Sequence, residues 1–213
     1  MQPRADEQAY LLDAVNRFLR APVRAEDIVW RYSGVRPLLA DHHRDASRVT
    51  RDYRLDVDTA GAPLLSVLGG KLTTYRALAE DALGRLSPSL PEMGAAWTAG
   101  GPPLPGGDGG TAAEVADALL RGHPGLPPAL LQRLAASYGT RAMRLLDDAQ
   151  TLDALGQDHG GGLYDRELDY LIAHEWAHTA DDVLWRRGHL GLRLDPRQRE
   201  ALAATLQARV SMP

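Results

Sequence analysis

Apolar and polar positions change rhythm twice along this chain. Tyr10, Leu11, Val15, Phe18 and Leu19 recur near helical spacing and predict a helix over 8–20. Ile28, Val29, Trp30 and Tyr32 read as a short buried strand, with Trp30 in the core. Ser33-Gly34-Val35-Arg36-Pro37-Leu38 then makes a turn, and 39–47 is polar loop. Over 48–57 the rhythm becomes alternating. Val49, Tyr53, Leu55 and Val57 fall on one face, interrupted by Arg51, and Thr50, Asp52, Arg54 and Asp56 on the other. A turn cluster at 58–63 leads to Leu64-Leu65-Ser66-Val67-Leu68, a continuous apolar strand expected to be buried on both faces. Gly69-Gly70 ends it. Leu72, Tyr75, Ala79, Ala82, Leu83 and Leu86 mark one face of a helix over 71–86.

Residues 87–110 are rich in Pro and Gly, close on PPLPGGDGG and read as a semi-rigid linker. Beyond them only helical patterns appear. Thr111 and Glu114 form a capping-box start. Helices follow over 126–138, 141–149 and 164–178. Thr179 to Asp182 caps the next, and Asp195-Pro196 opens a last helix to about Arg209. The expected fold class is therefore α+β. A strand-and-helix segment (1–90) and a linker (91–110) precede an all-α domain (111–213).

Composition narrows the chemistry. The chain has 213 residues, 44% of them apolar and 24% charged, which is ordinary for a globular protein. Its net charge of −4 gives no footprint for nucleic acid. With no cysteine, disulfides, thiolate metal sites and thiol nucleophiles are excluded. No apolar run is long enough to span a membrane, and MQPRADEQAY has no signal-peptide core.

The candidate chemistry sits where the second strand runs into Gly69-Gly70-Lys71-Leu72-Thr73-Thr74. Glycines let a ligand approach the backbone, a helix N-terminus presents free N–H groups, and Lys71 adds a full positive charge. Such a junction suits an anion; the alternative is a plain strand–helix turn capped by Thr73. The spacing is not that of a P-loop, and no G-x-G-x-x-G follows a strand. Arg36, between a glycine turn and a stiffening proline, either meets an anion or makes a structural ion pair.

At these two motifs the sequence resembles the C-terminal portion of FAD-dependent glycerol-3-phosphate dehydrogenase, the membrane-associated respiratory type. YLLDAVNRFL, EDIVWRYSGVRPL, the stretch TRDYRLDVDTAGAPLLSVLGGKLTTYRALAEDAL, PLPGGD and YDRELDYLIAHEWAHTADDVLWRRGHLGL carry the resemblance across nearly the whole chain. It implies oxidation of sn-glycerol 3-phosphate to dihydroxyacetone phosphate, with FAD as cofactor and quinone as electron acceptor. Gly69, Gly70, Lys71, Leu72, Thr73 and Thr74 would line the flavin. Arg36 and Lys71 would meet substrate phosphate or alkoxide oxygens. The resemblance also implies a cytoplasmic protein able to sit peripherally on the inner face of the cell membrane. Trp97 would pin the linker onto the flavin domain. The family's ADP-binding half and its general base precede the matching region. The chain is thus expected to be a C-terminal fragment or separately encoded part, inactive alone. Residues 1–90 are expected to be poorly stable alone and 111–213 to fold independently.

Three other readings compete. A glycerol-3-phosphate oxidase would use O2 as acceptor. A non-catalytic module would associate with an N-terminal polypeptide through its exposed sheet edge, or serve as a helical interaction domain. A zinc peptidase would use His174-Glu175-Trp176-Ala177-His178, which matches H-E-x-x-H. Against the last, Tyr164, Leu168, Leu171, Ile172 and Trp176 form the apolar stripe of that helix. Glu175 falls within it, where an ion pair with Arg186 or Arg187 is expected. The family usually has Arg at the position of His178. No metal site is expected.

Overall fold

A computed structural model describes residues 3–34, 50–90, 94 and 100–210. The chain divides into two compact units, Met1–Pro102 and Pro103–Pro213. The fold class is α+β: a small antiparallel sheet with helices, then a helical C-terminal domain.

In the first unit, helix α1 spans Ala5–Asn16. Asp6 and Glu7 in its first turn complement the helix dipole, and Glu7 accepts from the Arg4 backbone N–H at 2.9 Å. The helix stops short of the expected residue 20 because Asn16 turns the chain back. Its amide both accepts from Val23 N–H (2.8 Å) and donates to Val23 carbonyl (2.9 Å). The strand expected at 28–32 does not form. After a 3₁₀ turn at Ala25–Asp27 the segment carries no regular secondary structure and has no ladder partner among the described residues. Trp30 is half-buried rather than core, and its ring stacks on Tyr32 with centroids 5.1 Å apart.

Strand β1 (Tyr53–Asp58) pairs antiparallel with β2 (Leu64–Gly69), from Tyr53 opposite Gly69 to Asp58 opposite Leu64. The turn is started by Asp58, whose carboxylate accepts from Ala60 N–H at 2.8 Å. Residues 50–52 stay outside the strand, where the Thr50 hydroxyl takes the Asp52 N–H at 3.2 Å. Helix α2 (Tyr75–Leu86) lies against both strands. Arg85 donates to the Leu55 carbonyl at 3.2 Å, and Tyr53 donates its hydroxyl to Asp81. The double burial expected of β2 is not found: Leu64 is 61% exposed and Val67 47%. A two-stranded sheet with one helix covers too little of either face. Leu55 is the one fully buried hydrophobic residue of this unit among those described.

The second unit is built differently. Helices α3 (Ala112–Gly122), α4 (Pro128–Tyr138) and α5 (Arg141–Leu146) enclose one apolar cluster around Leu119, Leu131, Leu134 and Leu146. Helix α6 (Asp165–Glu175), a π-helical turn (Asp182–Arg186) and helix α7 (Pro196–Val210) enclose another around Leu168, Leu171, Leu202 and Leu206. The caps lie where the sequence puts them. Thr111 and Glu114, Thr179 and Asp182, and Asp195 and Gln198 each exchange side-chain-to-backbone bonds at 2.7–3.3 Å.

The Pro/Gly segment is no free linker at its C-terminal end. Thr140 N–H donates to the Gly106 carbonyl at 3.1 Å and its hydroxyl bonds Asp108. A Cβ on Gly106 would lie 2.5 Å from the Tyr138 carbonyl oxygen. PLPGGD is therefore clamped onto the junction of α4 and α5. Among the described residues no helix is long and apolar enough to cross a membrane.

Candidate functional site

The strand–helix junction of the first unit keeps six of the seven candidate residues in one continuous turn. Gly69 and Gly70 both take positive φ, 73° and 92°. L side chains rarely adopt this conformation, so the backbone is bare across two successive residues. At Gly70 a Cβ would also crowd Tyr53 Cβ at 3.3 Å. The chain then enters a 3₁₀ turn, Leu72–Thr74, before α2 begins at Tyr75. The expectation of an α-helix from 71 is corrected accordingly. The first turn is tighter, and Lys71 stands before it in extended backbone.

Thr74, not Thr73, closes this turn. Its hydroxyl donates to the Lys71 carbonyl at 2.8 Å and accepts from the Lys71 N–H at 3.3 Å. Lys71 and Thr73 are exposed, and Leu72 is 88% exposed. A large apolar side chain directed at solvent beside a cation and two bare glycines forms a surface suited to a flat, partly anionic group. The double-glycine cradle and the donor set fit a flavin. Arg36 lies outside the described residues, as does Trp97.

The H-E-x-x-H match comes apart in the structure. Trp176 adopts the left-handed conformation (φ 53°, ψ 38°) and ends α6 at Glu175. His178 is thus beyond the helix, and the two histidines do not share an i, i+4 face. Trp176, assigned to the apolar stripe, is 80% exposed. Arg187 bonds the backbone carbonyl of Glu175 at 2.7 Å, and Arg186 pairs with Asp182 at 2.8 Å; neither takes the Glu175 carboxylate. Among the described residues no three His, Cys, Asp or Glu side chains form a metal-binding group.

The helical unit holds a polar cluster around Glu167 that the sequence reading missed. Glu167 on α6 is 2% exposed. Its Oε1 accepts from Arg133 (2.7 Å) and from the Tyr138 hydroxyl (2.8 Å), and its Oε2 accepts from Arg133 (2.6 Å). Arg133 also donates to the Gly162 carbonyl at 2.7 Å. Burial, reinforced by the Glu167 charge, pushes the Tyr138 phenol far above its ordinary range. Burial opposes charge on Arg133, but the Glu167 bonds outweigh it and the guanidinium stays firmly protonated. The signal was present: Glu167 falls three residues after Tyr164 and four before Leu171, inside the apolar stripe, and Arg133 stands among Leu130, Leu131 and Leu134.

Comparison with known proteins sets these features in context. Residues 99–209 match the model of the C-terminal domain of alpha-glycerophosphate oxidase. The chain is 47% identical to a glycerol-3-phosphate dehydrogenase of Pseudomonas aeruginosa over 95% of its length and 40% of the relative's. It is 44% identical to the aerobic glycerol-3-phosphate dehydrogenase of Escherichia coli over 92% of its length, again 40% of the relative's. A D-erythritol 1-phosphate dehydrogenase of Brucella abortus is also 44% identical, with the same two coverages. The chain thus spans about two-fifths of the length of these relatives.

Proposed function

The chain belongs to the family of the C-terminal domain of alpha-glycerophosphate oxidase, and from that premise we propose that it forms the C-terminal part of an FAD-dependent sn-glycerol-3-phosphate dehydrogenase. The observation that carries this reading is the Gly69-Gly70-Lys71 junction. Two left-handed glycines stand directly before an exposed lysine, in a chain similar to glycerol-3-phosphate dehydrogenases over nearly its whole length.

Oxidation of sn-glycerol 3-phosphate to dihydroxyacetone phosphate removes the C2 hydrogen as hydride and the C2 hydroxyl proton. FAD, when bound, supplies the two-electron acceptor, and quinone at the membrane surface takes the electrons onward. Gly69 and Gly70 would admit a flavin to backbone contact, and Leu72 would offer it an apolar surface. Thr73 and Thr74 complete the lining, with Thr74 holding the turn closed. Lys71 and Arg36 meet the substrate's phosphate or alkoxide oxygens and stabilise the charge that builds as the hydroxyl proton leaves. In this reading the protein is cytoplasmic and meets the inner face of the membrane peripherally. The ADP-binding region and the general base come from the part of the relatives that this chain does not span.

Two substitutions within this reading rest on specific similarities. The matched family model is named for an oxidase, which puts O2 beside quinone as acceptor. The Brucella relative is named for D-erythritol 1-phosphate, which puts a longer polyol phosphate beside glycerol 3-phosphate.

The test begins with the visible spectrum of the purified chain before and after adding FAD. Next, the chain is joined to the N-terminal part of the Pseudomonas aeruginosa relative. The fusion is assayed with glycerol 3-phosphate and D-erythritol 1-phosphate, following quinone reduction and peroxide. Flavin-dependent turnover of glycerol 3-phosphate with quinone reduction is the expected result. A colourless, well-folded fusion inert to both substrates would overturn the proposal in favour of a non-catalytic helical module.

A further inference from the structure

The helical unit contains a cavity of about 160 Å³ whose charge the proposed reaction leaves unused. Its floor is the Arg133–Glu167–Tyr138 cluster, and Arg187, His189 and Arg193 also line it. Glu167 does not set the sign of this space. Both its oxygens already accept hydrogen bonds, and Arg133 cancels its charge. Two guanidinium charges remain, those of Arg187 and Arg193. Arg187 is oriented by its bonds to the carbonyls of Glu175 (2.7 Å) and Trp176 (3.4 Å), which use two of its five N–H donors. Among the described residues no carboxylate or other side-chain hydrogen bond engages Arg193.

We propose that this cavity binds a small phosphate-bearing dianion, either inorganic phosphate or the phosphate end of a monoester. The two uncancelled guanidinium charges match a dianion, and the planar fork of arginine suits tetrahedral phosphate oxygens. The volume equals that of about five water molecules, enough for a phosphate group. Such a ligand would bridge α4 and α6 to the segment between the π-helical turn and α7, so its occupancy stabilises the helical unit. This inference does not depend on the Gly69–Thr74 site.

The experiment is calorimetric titration of the full chain with inorganic phosphate and, separately, with glycerol 3-phosphate. One saturable phosphate site is expected. Arg193→Ala weakens it about tenfold, the effect of losing a charged hydrogen bond. Arg197→Ala, an exposed arginine of α7 away from the cavity, leaves it unchanged, and so does Lys71→Ala. Glycerol 3-phosphate competing at the Arg193-dependent site assigns the monoester; phosphate binding without such competition assigns the free ion. Absence of saturable phosphate binding overturns the proposal. So does binding that Arg193→Ala does not weaken, or that Lys71→Ala abolishes.

Discussion

Arg133 on α4 grips both carboxylate oxygens of Glu167 on α6, at 2.7 and 2.6 Å, with side chains only 14% and 3% exposed. The pair ties the helix of one apolar cluster to that of the other. A buried pair contributes little net stability compared with well-packed apolar residues, but breaking it leaves a buried charge unmatched. Glu167→Gln is therefore expected to cost about 3–5 kcal/mol in chemical denaturation. The double change Arg133→Met, Glu167→Leu should recover most of that loss. Equal destabilisation by the double variant would show that the pair is not the cause.

The clamp of PLPGGD on α4–α5 gives a second test. Gly106 has φ 90° and no room for a Cβ beside the Tyr138 carbonyl. Gly106→Ala should destabilise by about 1–3 kcal/mol, the range for forced left-handed backbone. Gly122→Ala, where a Cβ meets nothing within 4 Å, should be neutral or slightly stabilising. Thermal melts of the two variants side by side make the comparison.

Acid should act through Asp182. The Thr179 hydroxyl holds its carboxyl well below the usual carboxylate range. The His178 and Thr179 N–H groups and Arg186 help, and burial works against them. A depressed folded pKa makes the unfolded state bind the proton first, so this stability is complete above about pH 4 and is lost as pH falls through the folded value. Urea midpoints measured from about pH 7 downward should fall in acid for the wild type. Asp182→Asn should show a shallower decline.

Legibility in the sequence followed the range of the interactions. The starts of α3 and α7 were readable because Thr111 with Glu114, and Asp195 with its proline, act within one turn. The end of α1 depended on Asn16 meeting Val23, and the end of α6 on a left-handed tryptophan; neither is a pattern of hydrophobicity. The segment at 28–32 has strand composition without a ladder partner among the described residues, and β2 has core composition without a cover. Both patterns state what a segment would bury, not whether something is there to bury it. At the candidate site, the glycine–lysine turn was readable from residue types alone. The buried Glu167 cluster required two apolar stripes to be read for their one polar interruption.

The two units should respond differently to protease. In the first, Leu55 alone is fully buried among the described residues, whereas the second has two continuous apolar clusters. Limited proteolysis should cut the first unit early and leave a resistant product starting near residue 103. A resistant N-terminal product with a degraded helical unit would contradict this.

For the proposed chemistry, Lys71 is the informative residue. In the fusion with the Pseudomonas N-terminal part, Lys71→Ala should lower kcat/KM by about 10²–10³-fold, the loss expected of one donor to a developing oxyanion. Lys71→Arg should retain part of the activity, and the bound-flavin spectrum of both should be kept. Gly70→Val, by contrast, should reduce flavin binding itself, because a branched side chain fits neither φ 92° nor the space beside Tyr53.

The three reciprocal caps of the helical unit also bear on how quickly it takes shape. Each joins residues three apart, so each helix start can close before any distant part of the chain arrives. Short-range beginnings of this kind favour rapid folding, as in helical proteins. It can collapse around its leucines on its own schedule, even while the two-stranded segment ahead of it still lacks a core to join.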